Sequence, residues 1–208
     1  MTKLLTLCLL FFSLSALSEE KIALVIGNAD YKVGVLKNAL NDAQDITEAL
    51  EKLNFKVTLV ENANKRVMKD AIYDFSEKLN KDTVGLFYYA GHAVQYHGEN
   101  YLIPINALPE IKKLRHLEDE AVRSGIVSKE MELSESQLNF IFLDACRDNP
   151  LPAESRGITQ GLAKSQNAEG ILIAYSTSPG RTSEDGKGRN SPYTKNLLKQ
   201  IYTPNQPI

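Results

Sequence analysis

The chain has 208 residues, 43% of them hydrophobic and 24% charged, with a formal net charge of −2. This is the composition of a globular protein long enough to bury one sizeable core. No stretch strings Lys and Arg together, so a surface for phosphate backbones has no electrostatic basis and nucleic acid is excluded as a partner.

The opening segment, MTKLLTLCLLFFSLSALSEE, has a single Lys, an uncharged run from Leu4 to Ser18 and then two glutamates. It reads as a signal peptide over residues 1–18, with small Ala16 and Ser18 before a cut preceding Glu19. Its apolar core is shorter than the roughly 20 residues a helix needs to span a bilayer. The expected product is residues 19–208, exported to the periplasm or secreted, with no stable membrane span. Removing Cys8 leaves Cys146 as the one cysteine of that product. An exported chain with an odd thiol either pairs with another chain or uses the thiol chemically.

From Lys21 onward short apolar runs alternate with helical patterns. Lys21 to Ile26, Phe55 to Val60, Thr83 to Tyr89, Leu138 to Leu143 and Gly170 to Tyr175 are each short and nearly continuous in apolar character, as suits strands covered on both faces. Between the first two, Leu40, Ala43, Ile46, Leu50 and Leu53 draw one apolar stripe. Between the second and third, Val67, Met68, Ala71, Ile72, Phe75 and Leu79 draw another, on a helix that Asn64 can cap. A short helix is expected around Leu114 to Val122, loops over Asp148–Glu169 and Ser176–Asn190, and a last helix after Ser191-Pro192 with Tyr193, Leu197, Leu198 and Ile201 on one face. Strand and helix in alternation predict an α/β fold with a mostly parallel central sheet and right-handed crossovers.

In such a sheet, ligands bind beyond the carboxyl ends of the strands. Three chemically capable residues fall there: His92 in YYAGHA, Cys146 in FLDACRDNP, and Asp42 in the first turn of the helix begun by LKNALNDA. A thiol becomes a competent nucleophile when a neighbouring imidazolium favours the thiolate, and His92 is the candidate neighbour. It lies about fifty residues upstream of Cys146, and Ala145-Cys146-Arg147 matches the A-C-R form of a known cysteine peptidase signature with that spacing.

These segments, together with ALVIGNADY at the first strand, LFYYAGHAVQYHGENYLIP around the histidine and IAYSTSPG…GKGRNSPYTKNLL near the end, resemble the caspase-like cysteine peptidases, in particular the bacterial members related to metacaspases. The resemblance runs from about Lys21 to Tyr202. It implies a caspase-like three-layer sandwich, with helices on both faces of the sheet, and an endopeptidase acting on peptide or protein substrates. By the same resemblance Cys146 is the nucleophile, His92 its acid–base partner, and the backbone N–H groups of Cys146 and Ala93 the oxyanion donors. The usual Gly-His-Gly is here Gly-His-Ala, and Ala93 keeps the donor unless the backbone there requires a positive φ. Asp144 and Asp42 match the acids that line the first pocket in the metacaspase-like branch, so cleavage after Arg or Lys is expected, with Ser176 as a pocket wall. Arg156 and Lys164 then become candidate self-processing sites.

No cofactor is implied and no spacing suggests a metal site; calcium supports some relatives, but no calcium-loop pattern is present. His97 and His116 read as surface or loop residues. Relatives continue past Tyr202 with a further helix and strand, so the chain reads as a domain shortened at its C-terminus. With Ala93, that feature favours the rival reading, a catalytically weak or inactive binding or scaffold domain of the same fold. A related peptidase preferring Asn in its first pocket is the third reading.

Overall fold

The computed structural model of the protein describes residues 19–145, 162–163, 170–176 and 185–203. Cys146, Arg156, Lys164, the expected signal peptide and most of the two long loops lie outside these residues. The five apolar runs form β1 (Glu20–Gly27), β2 (Phe55–Glu61), β3 (Thr83–Ala90), β7 (Leu138–Asp144) and β8 (Ile171–Tyr175). They make one sheet in the order β2-β1-β3-β7-β8, with every adjacent pair parallel.

Alternation along each strand serves two faces. Ile22, Leu24 and Ile26 of β1, Phe87 and Tyr89 of β3, and Ile141 and Leu143 of β7 pack against Met68, Ile72 and Phe75 of α2 (Lys65–Ser76) and Val127 and Met131 of α4 (Gly125–Leu133). The alternate residues Ala23, Val25, Leu86, Tyr88, Phe140 and Phe142 meet Ala39, Ala43, Ile46 and Leu50 of α1 (Ala39–Lys52) and Leu197, Leu198 and Ile201 of α5 (Pro192–Ile201). Helices therefore cover both faces of the sheet, in the three-layer arrangement expected. Burial on both sides is why these strands read as continuous apolar runs rather than alternating ones.

Local chemistry sets the helix ends. Asn64 caps α2 by accepting from the Val67 N–H at 3.0 Å, and Ser191 caps α5 by accepting from the Thr194 N–H at 3.0 Å, with Pro192 in its first turn. Two members of the predicted stripes face outward: Val67 is 44% exposed, and Leu53, which terminates α1, is 38% exposed. The expected helix around Leu114 to Val122 is divided. Leu114–His116 form a 3-10 turn, α3 covers Leu117–Glu120, and Ala121 turns extended into β6 (Val122–Arg123). β6 pairs with β5 (Glu99–Leu102), which forms a hairpin with β4 (Ala93–Tyr96) through His97-Gly98, both at positive φ. This small antiparallel sheet, and α4, are features that the hydrophobic pattern does not announce.

The close approach of β1 to α1 requires Gly27. A Cβ there would sit 2.7 Å from the Ala43 Cβ and 3.0 Å from the Ala39 carbonyl oxygen. Gly27→Ala is expected to destabilise the fold by about 1–3 kcal/mol through overpacking, measured as a lowered urea midpoint at unchanged m-value.

Candidate active site

The strand order changes direction across β1 and β3: β2 lies to one side of β1, and β3, β7 and β8 follow on the other. This is the switch point where α/β sheets open a crevice at their carboxyl edge. His92 stands there, just after β3 and 3% exposed. Ala90, the last residue of β3, is in register with Asp144 of the adjacent β7, and the Gly91 N–H donates to the Asp144 carbonyl oxygen at 3.3 Å. Asp144 and Ala145 are thus held beside Ala90 and Gly91. In sequence, His92 and Cys146 each follow that registered pair by two positions.

The imidazole has a defined orientation. His92 Nε2 lies 2.6 Å from the carbonyl oxygen of Gly34. A carbonyl can only accept, so Nε2 carries the proton and Nδ1 is the nitrogen left to exchange one. Gly34 reaches this place because the segment after β1 is tightly folded. Asn62 Oδ1 accepts from the Ala29 and Asp30 N–H groups at 3.0 and 3.1 Å, Leu36 N–H returns to the Ala29 carbonyl at 3.1 Å, and Gly34 itself adopts φ +74°. A main-chain carbonyl has no residue signature, and the sequence reading did not find it.

Two tyrosines escaped the sequence reading for a related reason: Tyr89 within β3 and Tyr31 in the loop after β1 both read as ordinary buried aromatics. Tyr31 packs its ring against His92 with centroids 4.5 Å apart. The Tyr31 hydroxyl accepts from the His92 N–H at 3.0 Å, and that of Tyr89 donates to the His92 carbonyl at 2.8 Å. Burial pushes the Tyr89 phenol well above its ordinary value, with Tyr31 adding to the shift, so it remains a neutral donor.

Ala93 opens β4, and its φ is not positive, which removes the objection that an alanine cannot stand there. It pairs with Leu102, while the Ile103 N–H donates to the His92 carbonyl at 2.9 Å. That bond makes Ala93 and Leu102 a non-hydrogen-bonded pair, whose N–H groups point away from the partner strand. The Ala93 donor is therefore not consumed by the β4–β5 ladder.

The two acids meet at one residue. Asp42, in the first turn of α1, accepts from the Ser191 N–H at 2.9 Å, while Asp144, at the end of β7, accepts from the Ser191 hydroxyl and, at 2.8 Å, from that of Thr194. Both carboxylates are fully buried. Tyr88 reaches Thr194 from the sheet, hydroxyl to hydroxyl at 2.5 Å. Burial and the Asp144 carboxylate together push the Tyr193 phenol far above its ordinary value. Ser176 N–H donates to the Leu143 carbonyl and its hydroxyl to that of Ala145, each at 3.0 Å, so Ser176 lies against the chain just before Cys146.

The segment 185–191 is laced to the start of α1. Lys37 N–H donates to Asp185 Oδ2 at 2.8 Å, Asn38 Nδ2 to the Asp185 carbonyl, and Asn41 Nδ2 to that of Arg189 at 3.1 Å. Arg189 grips Asp45 with its fork, Nε at 2.9 Å and Nη2 at 2.7 Å, and Asn190 adds a bond at 2.7 Å. This lacing delivers Ser191 to both acids. Among the described residues, no group of three or more His, Cys, Asp or Glu side chains is arranged to hold a metal, and no helix is long and apolar enough to cross a membrane.

A sheet of this order, with a histidine after β3 beside the strand that leads into a cysteine, is the architecture of a caspase domain. The family model of that domain matches residues 20–207, and the chain belongs to the caspase-domain family of cysteine peptidases. It is 32% identical over 171 residues to the human (Homo sapiens) mucosa-associated lymphoid tissue lymphoma translocation protein 1, and equally to the mouse (Mus musculus) homolog. Each match covers 77% of this chain and 20% of the relative, so the chain spans about a fifth of the length of the curated relatives it matches.

Asp45 gives the lacing a pH dependence. Burial raises its carboxyl pKa, but the bonds from Arg189 and Asn190 outweigh this and leave it below the ordinary value. A depressed folded-state pKa contributes stability that is complete above the unfolded value, about 3.9 for Asp, and is lost as pH falls through the folded one. Arg189→Ala is therefore expected to lower the urea midpoint at pH 7, and the gap from the unaltered protein is expected to close as the pH is taken below about 4.

Proposed function

We propose that the chain is a cysteine endopeptidase that cleaves after Arg or Lys, with Cys146 as nucleophile and His92 as its acid–base partner. The observation that carries this reading is the parallel register of Ala90 with Asp144, which brings the strand end leading to His92 beside the one leading to Cys146. Gly34 supports it further, because its carbonyl commits Nε2 as donor and reserves Nδ1 for proton exchange.

In this mechanism His92 Nδ1 takes the thiol proton and the Cys146 thiolate adds to the scissile carbonyl. The negative oxygen that forms is met by the N–H groups of Cys146 and Ala93. As the tetrahedral adduct collapses, the imidazolium returns its proton to the departing amine, leaving a thioester. His92 then deprotonates a water that attacks the thioester, and the carboxylate product leaves with the thiol restored. The Gly34 carbonyl accepts from Nε2 throughout and stabilises the imidazolium.

Specificity follows from Asp42 and Asp144. Two carboxylates bound to the same serine form one region of negative charge beside the strand leading to Cys146, with Ser176 along its flank. A cationic side chain is its chemical complement, and Arg adds bidentate geometry to charge. Arg156 and Lys164, in the loop that follows Cys146, are the matching self-processing candidates, and residues 1–18 are proposed to act as the export signal.

A panel of fluorogenic peptides carrying Arg, Lys, Asp or Asn before the scissile bond tests the reading. Turnover is expected after Arg and Lys, and a loss of about a thousandfold or more in both Cys146→Ala and His92→Ala. Asp144→Asn is expected to reduce kcat/KM for the Arg peptide by about tenfold or more, with a smaller effect on the Asn peptide. Equal signal from Cys146→Ala and the unaltered protein identifies a scaffold; strongest turnover after Asp or Asn overturns the acidic pocket. Because the Ala93 backbone needs no positive φ, Ala93→Gly is expected to leave turnover within about twofold.

A further inference from the structure

We propose that Tyr31 and Tyr89 are positioning residues that fix His92 through its own main chain, so that the imidazole's alignment depends on two buried phenols from different segments. The inference rests on His92 being the acid–base residue, and it adds the device that holds that residue still.

The proton arrangement is self-consistent. The His92 N–H donates to the Tyr31 hydroxyl at 3.0 Å, and that hydroxyl donates onward to the Ile103 carbonyl at 3.0 Å. The Tyr89 hydroxyl donates to the His92 carbonyl at 2.8 Å, whose second lone pair takes the Ile103 N–H at 2.9 Å. Both main-chain polar groups of His92 are thus engaged, one by each phenol, and the two hydroxyls lie 3.3 Å apart. Asn28 closes the arrangement: its Nδ2 donates to the Ile103 carbonyl at 3.3 Å, and its Oδ1 accepts from the Ala63 N–H at 2.8 Å.

Three further features point to positioning beyond simple packing. Tyr31 bonds the His92 backbone and also packs its ring, tilted by 56°, against the imidazole, so one side chain touches both ends of the residue. The hydroxyls occupy the space next to residue 91: a Cβ on Gly91 would fall 2.5 Å from the Tyr89 oxygen and 2.8 Å from that of Tyr31. The glycine before the histidine is therefore required by the phenols. Finally, Tyr31 and Gly34 belong to the same loop, so the group holding the backbone and the carbonyl receiving Nε2 move as one unit.

Tyr31→Phe and Tyr89→Phe keep the rings and remove only the hydroxyls. Each is expected to lower kcat by about tenfold or more with KM within about twofold, the signature of misaligned chemistry rather than weakened binding. The direct readout is the nitrogen NMR signal of His92, taken in the Cys146→Ala protein, which cannot cleave itself and has no thiolate to charge the ring. One Nε2–H tautomer is expected with both phenols present, and a mixture of tautomers in either Phe variant. Tyr88→Phe, at a buried tyrosine on the sheet face opposite Tyr89 whose hydroxyl meets Thr194, controls for lost stability and is expected to leave the His92 signal unmoved. An unchanged tautomer in folded Tyr31→Phe and Tyr89→Phe proteins, or a mixture produced by Tyr88→Phe as well, overturns the proposal. Absence of turnover in the unaltered protein would instead defeat the peptidase reading, and the tautomer comparison would still decide this one.

Discussion

The parallel pairing of β3 with β7 is the constraint on which the functional geometry depends. Parallel strands deliver all their carboxyl ends to one edge, and the register of Ala90 with Asp144 fixes which residues emerge side by side there. That register is enforced by burial on both faces. Tyr88 and Tyr89 are adjacent in sequence and point to opposite layers, Tyr88 towards Thr194 and Asp144, Tyr89 towards His92. A slip of one residue would exchange their faces and send each hydroxyl to the wrong layer. The apolar packing of β3 and the two polar networks are thus one structural fact seen from two sides.

Much of this was legible in the sequence, for identifiable reasons. The five strands fall within a residue or so of their expected bounds because two-sided burial writes continuous apolar runs, and Gly27, Gly170, Asn54 and Asn62 punctuate them. The stripes of α1, α2 and α5 were readable because each helix buries one face. The hairpin of β4 and β5 was not: strands of four residues such as Ala93–Tyr96 and Glu99–Leu102 carry too few alternations to stand out, and His97-Gly98 is a turn only in retrospect. Leu114 to Val122 failed as a single helix because Ala121 leaves the helical region to enter the small sheet.

The candidate site divides in the same way. His92 and Asp42 were visible as reactive residue types next to strand and helix ends, and the motif around Cys146 carried the cysteine. Gly34 contributes only its carbonyl, and Tyr31 and Tyr89 contribute hydroxyls that pattern analysis counts as apolar surface. Asn38, Asn41 and Asp45, spaced along the start of α1, looked like ordinary helix-opening residues, because their partners at 185–190 lie at the far end of the chain. Periodicity sees what a residue does within its own element; these residues act between elements.

Ser191 carries a consequence for how such a domain can diverge. The residue whose hydroxyl caps the start of α5 also bridges the two acids, its N–H to Asp42 and its hydroxyl to Asp144, so charge in this region and the integrity of a helix are carried by a single hydroxyl and a single amide. A lineage that exchanged either carboxylate for a neutral group would have to find a new way to begin that helix. Drift at positions 42, 144 and 191 should therefore occur as coordinated replacement, and changing the charge here by design becomes a matter of rebuilding a helix start along with it.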